Sequence, residues 1–394
     1  MRSPLFGALL GLLTLQAWAQ TPLSYQDLQA QARPTPLQWH TEALLAERHL
    51  QLQESRGLLR EGPTLTASAG PRRSPGAPTT TDQGLEVDLP LFLSFRVRAE
   101  LAASLGKAHP LLQESAKRAC ALRLRTAYLD AWLAARLFAL READLSTVER
   151  WLHVAQARVD AGADPAFQVS LVEGERLKVL QDLDEARIQV ARTWGVLVAL
   201  AEIPPSPMPL ADPDMSPLPP QGDLLQHWQD GPLRKALLAQ AEVEERSLRL
   251  KEAQSLSRWS LRSSYAQEGE ENITRVGVAV RLPRPGEREA IHRNTEAQVR
   301  AIHGEARQAL AELDARAQGA VLRLQKAPPV STVPDFAAAL AAVELRLREG
   351  RERPSEALPI RRQLLEAQMA ALRRVHSQHL LIAELQALLA EVNP

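Results

Sequence analysis

The seven residues Gly84-Leu85-Glu86-Val87-Asp88-Leu89-Pro90 recur as Gly277-Val278-Ala279-Val280-Arg281-Leu282-Pro283, with Gly-x-x-Val-x-Leu-Pro kept in both copies. In an extended chain Leu85, Val87 and Leu89 point one way while Glu86 and Asp88 point the other. In the second copy Val276, Val278, Val280 and Leu282 oppose Arg275, Gly277, Ala279 and Arg281. A period of two over this length specifies a strand with one apolar and one more polar face. The closing proline ends the ladder by removing a donor, and a long helical pattern follows each time. The duplicated unit is a strand that feeds a helix.

The same order of elements surrounds each copy. Ser24-Tyr25-Gln26-Asp27 reads as a capped helix start, and a helical run from Leu37 to Glu61 follows. Thr64 to Ala69 alternates as a weak strand, and the Pro-, Gly-, Ser- and Thr-rich stretch 70–83 is expected to be a loop. From Ser94 to Asp160 the chain is helix-rich, with Leu124, Tyr128, Ala131, Ala135 and Phe138 spaced as a coiled-coil seam. Unbroken, that helix would be roughly 100 Å long. Ala161-Gly162-Ala163-Asp164-Pro165 then stops one helix and starts another, giving a tight helical hairpin. The return helix carries Val179, Leu183, Ala186, Val190 and Leu197.

Eight prolines between Ile203 and Gln221 make an extended connector, and beyond it the pattern repeats. A helix from Pro232 to Ser257 leads into Trp259, Leu261, Ser263 and Tyr265, alternating with Ser260, Arg262 and Ser264. After a turn over Glu268 to Asn272 comes the second Leu-Pro strand, then helices expected over 286–325, 335–349 and 354–392. Pro328, Pro329 and Pro334 interrupt this arm, and Pro359 lies just inside the last helix. Gly84 precedes Gly162 by 78 residues and Gly277 precedes Gly350 by 73, so the spacing of the repeat is nearly kept. The expected organisation is a leader over 1–19, a first repeat over 20–203, a Pro-rich linker over 204–225 and a second repeat over 226–394.

Met1-Arg2, an apolar run from Leu5 to Leu15 and Ala17-Trp18-Ala19 have the form of a secretory signal cleaved before Gln20. Cys120 is the only cysteine, so neither an internal disulfide nor a cysteine zinc cluster is available. The 47 basic and 47 acidic residues balance, which gives no support to a nucleic-acid partner. After the leader no segment approaches eighteen consecutive apolar residues, so any membrane insertion must use strands. In a bilayer strands survive only as a closed barrel, and four are too few to close one; about eight are needed. Identical chains would have to pool them, with Glu86, Asp88, Arg275 and Arg281 lining a wet interior.

On the duplicated Leu-Pro strands and the two hairpin tips, the chain resembles the TolC-like family of outer-membrane efflux proteins over essentially its whole mature length. Family tips read approximately Gly-x-x-Ser-x-x-Asp-Val-Leu. Here the first tip has Gly162, then Pro165 for Ser, Gln168 for Asp, and Val169; the second has Gly350, then Arg353 for Ser, Glu356 for Asp, and Leu358. The resemblance implies a mainly α fold with a small β part, assembled as a homotrimer with a twelve-stranded barrel and a periplasmic helical tube. It implies a passive conduit in the outer membrane that works with a periplasmic adaptor (membrane fusion protein) and an inner-membrane pump. Glu356 and Gln168 then fall at the pore entrance, where a ring of carboxylates would favour cations. Ala161, Gly162, Ala163, Gly350 and Arg351 fall at the tips that meet the adaptor. The alternatives are a periplasmic adaptor, which would carry one hairpin rather than two, and an exported coiled-coil scaffold without a pore.

Other features have plainer readings. His376 and His379 lack the carboxylate or cysteine partners of a metal site, and both fall on the Leu365, Met369, Leu372 stripe. The acidic turn of Glu268, Glu270 and Glu271 reads as a solvated loop tip. Arg346, Arg348, Arg351 and Arg353 fit either an acidic adaptor or a solvated face. Phe92, Phe95, Trp259 and Tyr265 are the few aromatic candidates for barrel girdles. No phosphate-binding glycine loop or catalytic triad context occurs, so neither an enzymatic activity nor a cofactor is expected.

Overall fold

The computed structural model describes residues 22–54, 64–72, 80–91, 95–214, 228–256, 259–268, 271–280, 284–326 and 335–389. The leader, Arg281 to Pro283, and Pro328, Pro329 and Pro334 lie outside these, as does Phe92. The elements run α1 (Tyr25–Ala30), α2 (Pro36–Glu54), β1 (Thr64–Arg72), β2 (Thr80–Leu91), α3 (Phe95–Asp160) and α4 (Phe167–Leu200). After the connector come α5 (Pro232–Leu256), β3 (Trp259–Glu268), β4 (Glu271–Val280), α6 (Glu287–Lys326), α7 (Ala337–Arg348) and α8 (Pro354–Leu388). Ser24 caps α1 as its spacing to Asp27 requires: the Ser24 hydroxyl accepts from the Asp27 N–H at 3.2 Å and the Asp27 carboxylate accepts from the Ser24 N–H at 3.0 Å. The 66 residues of α3 continue through Gly106 and Pro110.

Two compact units divide the chain, each drawing on both halves of the sequence. One comprises residues 36–117 and 228–316 and holds all four strands, which form a single antiparallel sheet in the order β1-β2-β3-β4. The two hairpins are joined by the β2–β3 pair, in which Leu85 faces Tyr265 and Leu89 faces Leu261. The described residues of the stretch 70–83, expected to be a loop, are strand instead. Gly70 pairs with Asp82, Pro71 with Thr81 and Arg72 with Thr80, so both strands extend into it. Proline is tolerated there because β1 is an edge strand and Pro71 need not donate to an outer neighbour. Below the sheet, Leu45 and Leu52 of α2, Leu101, Leu105 and Ala108 of α3, and Val243 and Leu250 of α5 form this unit's core. Along the α5–α6 seam Glu245 meets His303 at 3.0 Å, Glu296 meets Arg249 at 2.7 Å and Glu252 meets His292 at 2.8 Å. That ladder ties together the helices that enter and leave the β3–β4 hairpin.

The other unit takes residues 1–35, 118–227 and 317–394. The described part of its Pro-rich connector, up to Asp214, is bonded to the N-terminal segment; the rest of the expected linker lies outside the described residues. The Leu23 N–H donates to the Pro209 carbonyl at 2.9 Å, the Ala211 N–H to the Leu23 carbonyl at 3.0 Å and the Glu202 N–H to the Gln31 carbonyl at 2.9 Å. Proline lacks a donor, so Pro209 takes part only through its carbonyl and Ala211 supplies the N–H. Leu28, Leu124, Tyr128, Trp194 and Leu197 pack beneath, which places the first residues of the α3 seam in a core. Burial, together with Asp212, Asp214 and Asp27, pushes the Tyr128 hydroxyl up to about 12, and it donates to the Ala211 carbonyl at 2.6 Å. A second core of Val148, Trp151, Val172, Val179, Leu347 and Leu358 joins α3, α4, α7 and α8.

Candidate functional site

The register sorts the sheet into two faces. Glu86 and Asp88 of β2 share a face with Arg262 and Ser264 of β3, Arg275 and Gly277 of β4, and Thr64 and Thr66 of β1. Three of the expected interior residues, Glu86, Asp88 and Arg275, are therefore brought together; Arg281 lies outside the described residues. Alternation alone marks Arg262 only as polar. Its Nε lies 2.9 Å from Glu86 Oε1 and its Nη2 3.3 Å from Asp88 Oδ2. The cue was positional: Arg262 occupies the same parity as Ser260 and Ser264, opposite the acidic parity of β2. Gly84 stands on this face as well, and a Cβ there would come within 2.8 Å of the Ser68 hydroxyl.

The opposite face carries Leu65, Leu85, Val87, Leu89, Leu261, Val276 and Val278. It is bare: Val276 is 70% exposed and Leu65 65%. Trp259 and Tyr265 stand on the same face, both about half exposed, six residues apart on β3. At ~3.3 Å per residue they bracket a band of about 20 Å. The Tyr265 hydroxyl donates to Asn272 Oδ1 at 2.9 Å, so its polar end is turned toward the hairpin tip. No helix among the described residues is long and apolar enough to cross a membrane.

The two helical tips form the other candidate region, in the second unit. Gly162 and Gly350 each adopt positive φ, 72° and 76°, the left-handed stop that the sequence assigned to them. Ala161, Gly162, Ala163, Gly350 and Arg351 are all exposed. Arg158 joins the tips: its Nε donates to Asp164 Oδ2 at 2.6 Å and its Nη1 to the Leu347 carbonyl at 2.8 Å. Glu356 is exposed in the first turn of α8, where its carboxylate accepts from the Arg353 N–H at 3.2 Å. Gln168 is only 1% exposed and bonds to Ser355 instead of facing solvent. The arginine run is largely neutralised at home. Arg346 pairs with Glu352 at 3.3 Å, Arg348 with Glu344 at 2.6 Å and Arg351 with Glu349 at 3.0 Å.

Farther along the same helices lies a buried ion cluster that periodicity does not reveal. Arg361 of α8 is 2% exposed and bonds to Asp144 of α3 and Glu175 of α4; Arg362 Nε also donates to Glu175, at 2.9 Å. Arg141 reaches Asp182 at 3.0 Å beside them. An arginine in an Arg-rich helix gives no signal of burial until three helices converge on it. His376 Nε2 lies 2.8 Å from Asp130 Oδ1, and His379 is buried edge-on to Trp132. Burial, with Arg125 and His376 nearby, holds the His379 imidazole below its ordinary range. Among the described residues no group of three or more His, Cys, Asp or Glu is placed to hold a metal ion.

No known family's sequence profile matches the chain, and no curated protein matches it in sequence. Solved structures do match. The outer-membrane channel OprN superposes with a TM-score of 0.68 at 16% identity, covering 89% of this chain and 86% of its own. The outer membrane protein VceC of Vibrio cholerae gives 0.66 at 18% identity, with 90% and 93% covered. The Campylobacter jejuni CmeC outer membrane channel gives 0.69 at 12% identity, with 92% and 84% covered. At such identities the likeness is one of fold, and it extends over nearly the full chain.

Proposed function

We propose that this chain, which has the fold of the TolC-like outer-membrane channels, is the outer-membrane component of an efflux or export system. It is sited in the outer membrane, extends into the periplasm, and acts as a passive conduit whose energy comes from an inner-membrane pump reached through a periplasmic adaptor. The observation that carries this reading is the bare apolar face bracketed by Trp259 and Tyr265, backed by the charged face of Glu86, Asp88, Arg262 and Arg275. In water such a face costs free energy for every apolar side chain left exposed. Against lipid the cost disappears, and aromatic residues near both boundaries of an apolar band are what an outer-membrane strand carries.

The edges β1 and β4 would leave backbone donors and acceptors unpaired in lipid. Three copies of the four-stranded sheet, each β4 pairing with the next chain's β1, close the barrel and remove both edges. The polar faces then line the lumen. In the other unit the exposed Ala161-Gly162-Ala163 and Gly350-Arg351 turns are the surface that an adaptor's helical tips approach. Because three of the tip arginines already have acidic partners, that contact draws on shape more than on net positive charge. Glu356 carries the entrance ring, and Gln168 contributes by fixing the spacing of the two tips.

Membrane fractionation tests the proposal. The chain should sediment with outer membranes and run in unboiled gels as an oligomer of three copies. Recovery as a monodisperse, water-soluble monomer without detergent would overturn it.

A further inference from the structure

We infer that Arg262 is a specificity-determining residue of the barrel interior, masking Glu86 and Asp88 so that this stretch of the lumen does not select cations. The inference rests on the conduit reading above. The register places Asp88 in one row with Arg262, and Glu86 in the adjoining row with Ser264 and Arg275. Thr64, Thr66 and Gly277 fill the remaining places of those rows without charge. Arg262 grips both carboxylates, at 2.9 Å and 3.3 Å, while Arg275 has no ion-pair partner among the described residues. Each chain therefore contributes two negative and two positive groups to two neighbouring rows.

Such rows are about 7 Å apart along the strands. That is inside the Debye length of about 10 Å at 0.1 M salt, so a passing ion experiences both rows at once and meets no net charge. Asp82 stands six residues up β2 from Asp88, about 20 Å away, and is screened from this belt. Removing Arg262 would leave two carboxylates against one guanidinium per chain. In a threefold ring that excess recurs three times around a confined lumen, where fixed charge concentrates counter-ions.

The test is ion selectivity of the purified full-length protein in planar bilayers under a tenfold KCl gradient. Arg262→Gln should raise the K⁺ over Cl⁻ permeability ratio by about threefold or more, and Glu86→Gln with Asp88→Asn should lower it by a similar factor. Ratios that stay within about twofold of the parent protein in conducting variants would overturn the inference. Should Arg262→Gln fail to form the heat-resistant oligomer, the carboxamide double variant decides the matter, since it keeps Arg262 and removes what it masks. A parent protein that neither oligomerises nor conducts would overturn the conduit reading itself, and the inference with it.

Discussion

The side-chain amide of Gln168, at the start of α4, makes two hydrogen bonds to Ser355, at the start of α8: Gln168 Oε1 accepts from the Ser355 N–H at 3.1 Å and Gln168 Nε2 donates to the Ser355 hydroxyl at 3.2 Å. One buried side chain thus reads the position of the other helical tip. Replacement by leucine keeps the volume and removes both bonds, leaving a helix-start N–H without its partner. Gln168→Leu should cost about 1–2 kcal/mol, measured as a lowered melting temperature of the purified protein. A variant that melts with the parent would show the clasp to be incidental.

Arg361 is held by Asp144 and Glu175 in a buried ionic contact away from the tips, with Arg362 sharing Glu175. Removing one partner of a buried pair strands the others. Arg361→Ala should therefore destabilise by about 3–5 kcal/mol, whereas Arg361→Met with Asp144→Leu and Glu175→Met should be near neutral or stabilising. Denaturation of the two proteins side by side checks the contrast. Equal losses in both would mean that the charges, and not only their mutual satisfaction, are required.

Acid should weaken the fold in two stages. Burial, Arg125 and His376 depress the His379 pKa below its ordinary 6.5, so its contribution is complete above that pH and lost as pH falls through the folded value. For Glu175, burial alone would raise the pKa, but the Arg362 hydrogen bond and the charges of Arg361 and Arg362 outweigh it and hold it below 4.5. Its contribution is likewise complete above 4.5 and lost on further acidification. Melting temperature against pH should show both limbs. His379→Leu should flatten the first and Glu175→Gln the second; an unchanged profile in either variant would remove that group as the cause.

The two tip glycines should respond unequally to alanine. Both sit at positive φ, so each substitution stores about 1–2 kcal/mol of backbone strain. At Gly162 a Cβ meets open space, while at Gly350 it would lie 3.3 Å from Arg158 Nη1, which is engaged with the Leu347 carbonyl at 2.8 Å. Gly350→Ala should be the more costly of the two in thermal melts. The opposite order would mean that Arg158 yields freely.

Period and punctuation account for what could be read in advance. Leu85, Val87 and Leu89 against Glu86 and Asp88 specify a two-faced strand because side chains alternate whatever the strand's neighbours are. Gly162 and Gly350 specify stops because only glycine enters the left-handed region without penalty. Composition misled over 70–83: pairing of Gly70 and Arg72 with Asp82 and Thr80 uses backbone groups that every non-proline residue supplies. The resemblance placed Gln168 at an entrance, and no local pattern could have shown it buried against Ser355, 187 residues away.

By itself, then, the sequence determined the duplicated order of elements, the two faces of each strand and the sites of the helical stops, since all of these follow from interactions within a few residues. Only the tertiary structure decided which residues from distant parts of the chain meet: Arg262 with Glu86 and Asp88, Gln168 with Ser355, Arg361 with Asp144 and Glu175. The physical reason is that a charge or amide carries no mark of its partner in the chain. Burial and register create that partnership when separate helices and strands are brought side by side.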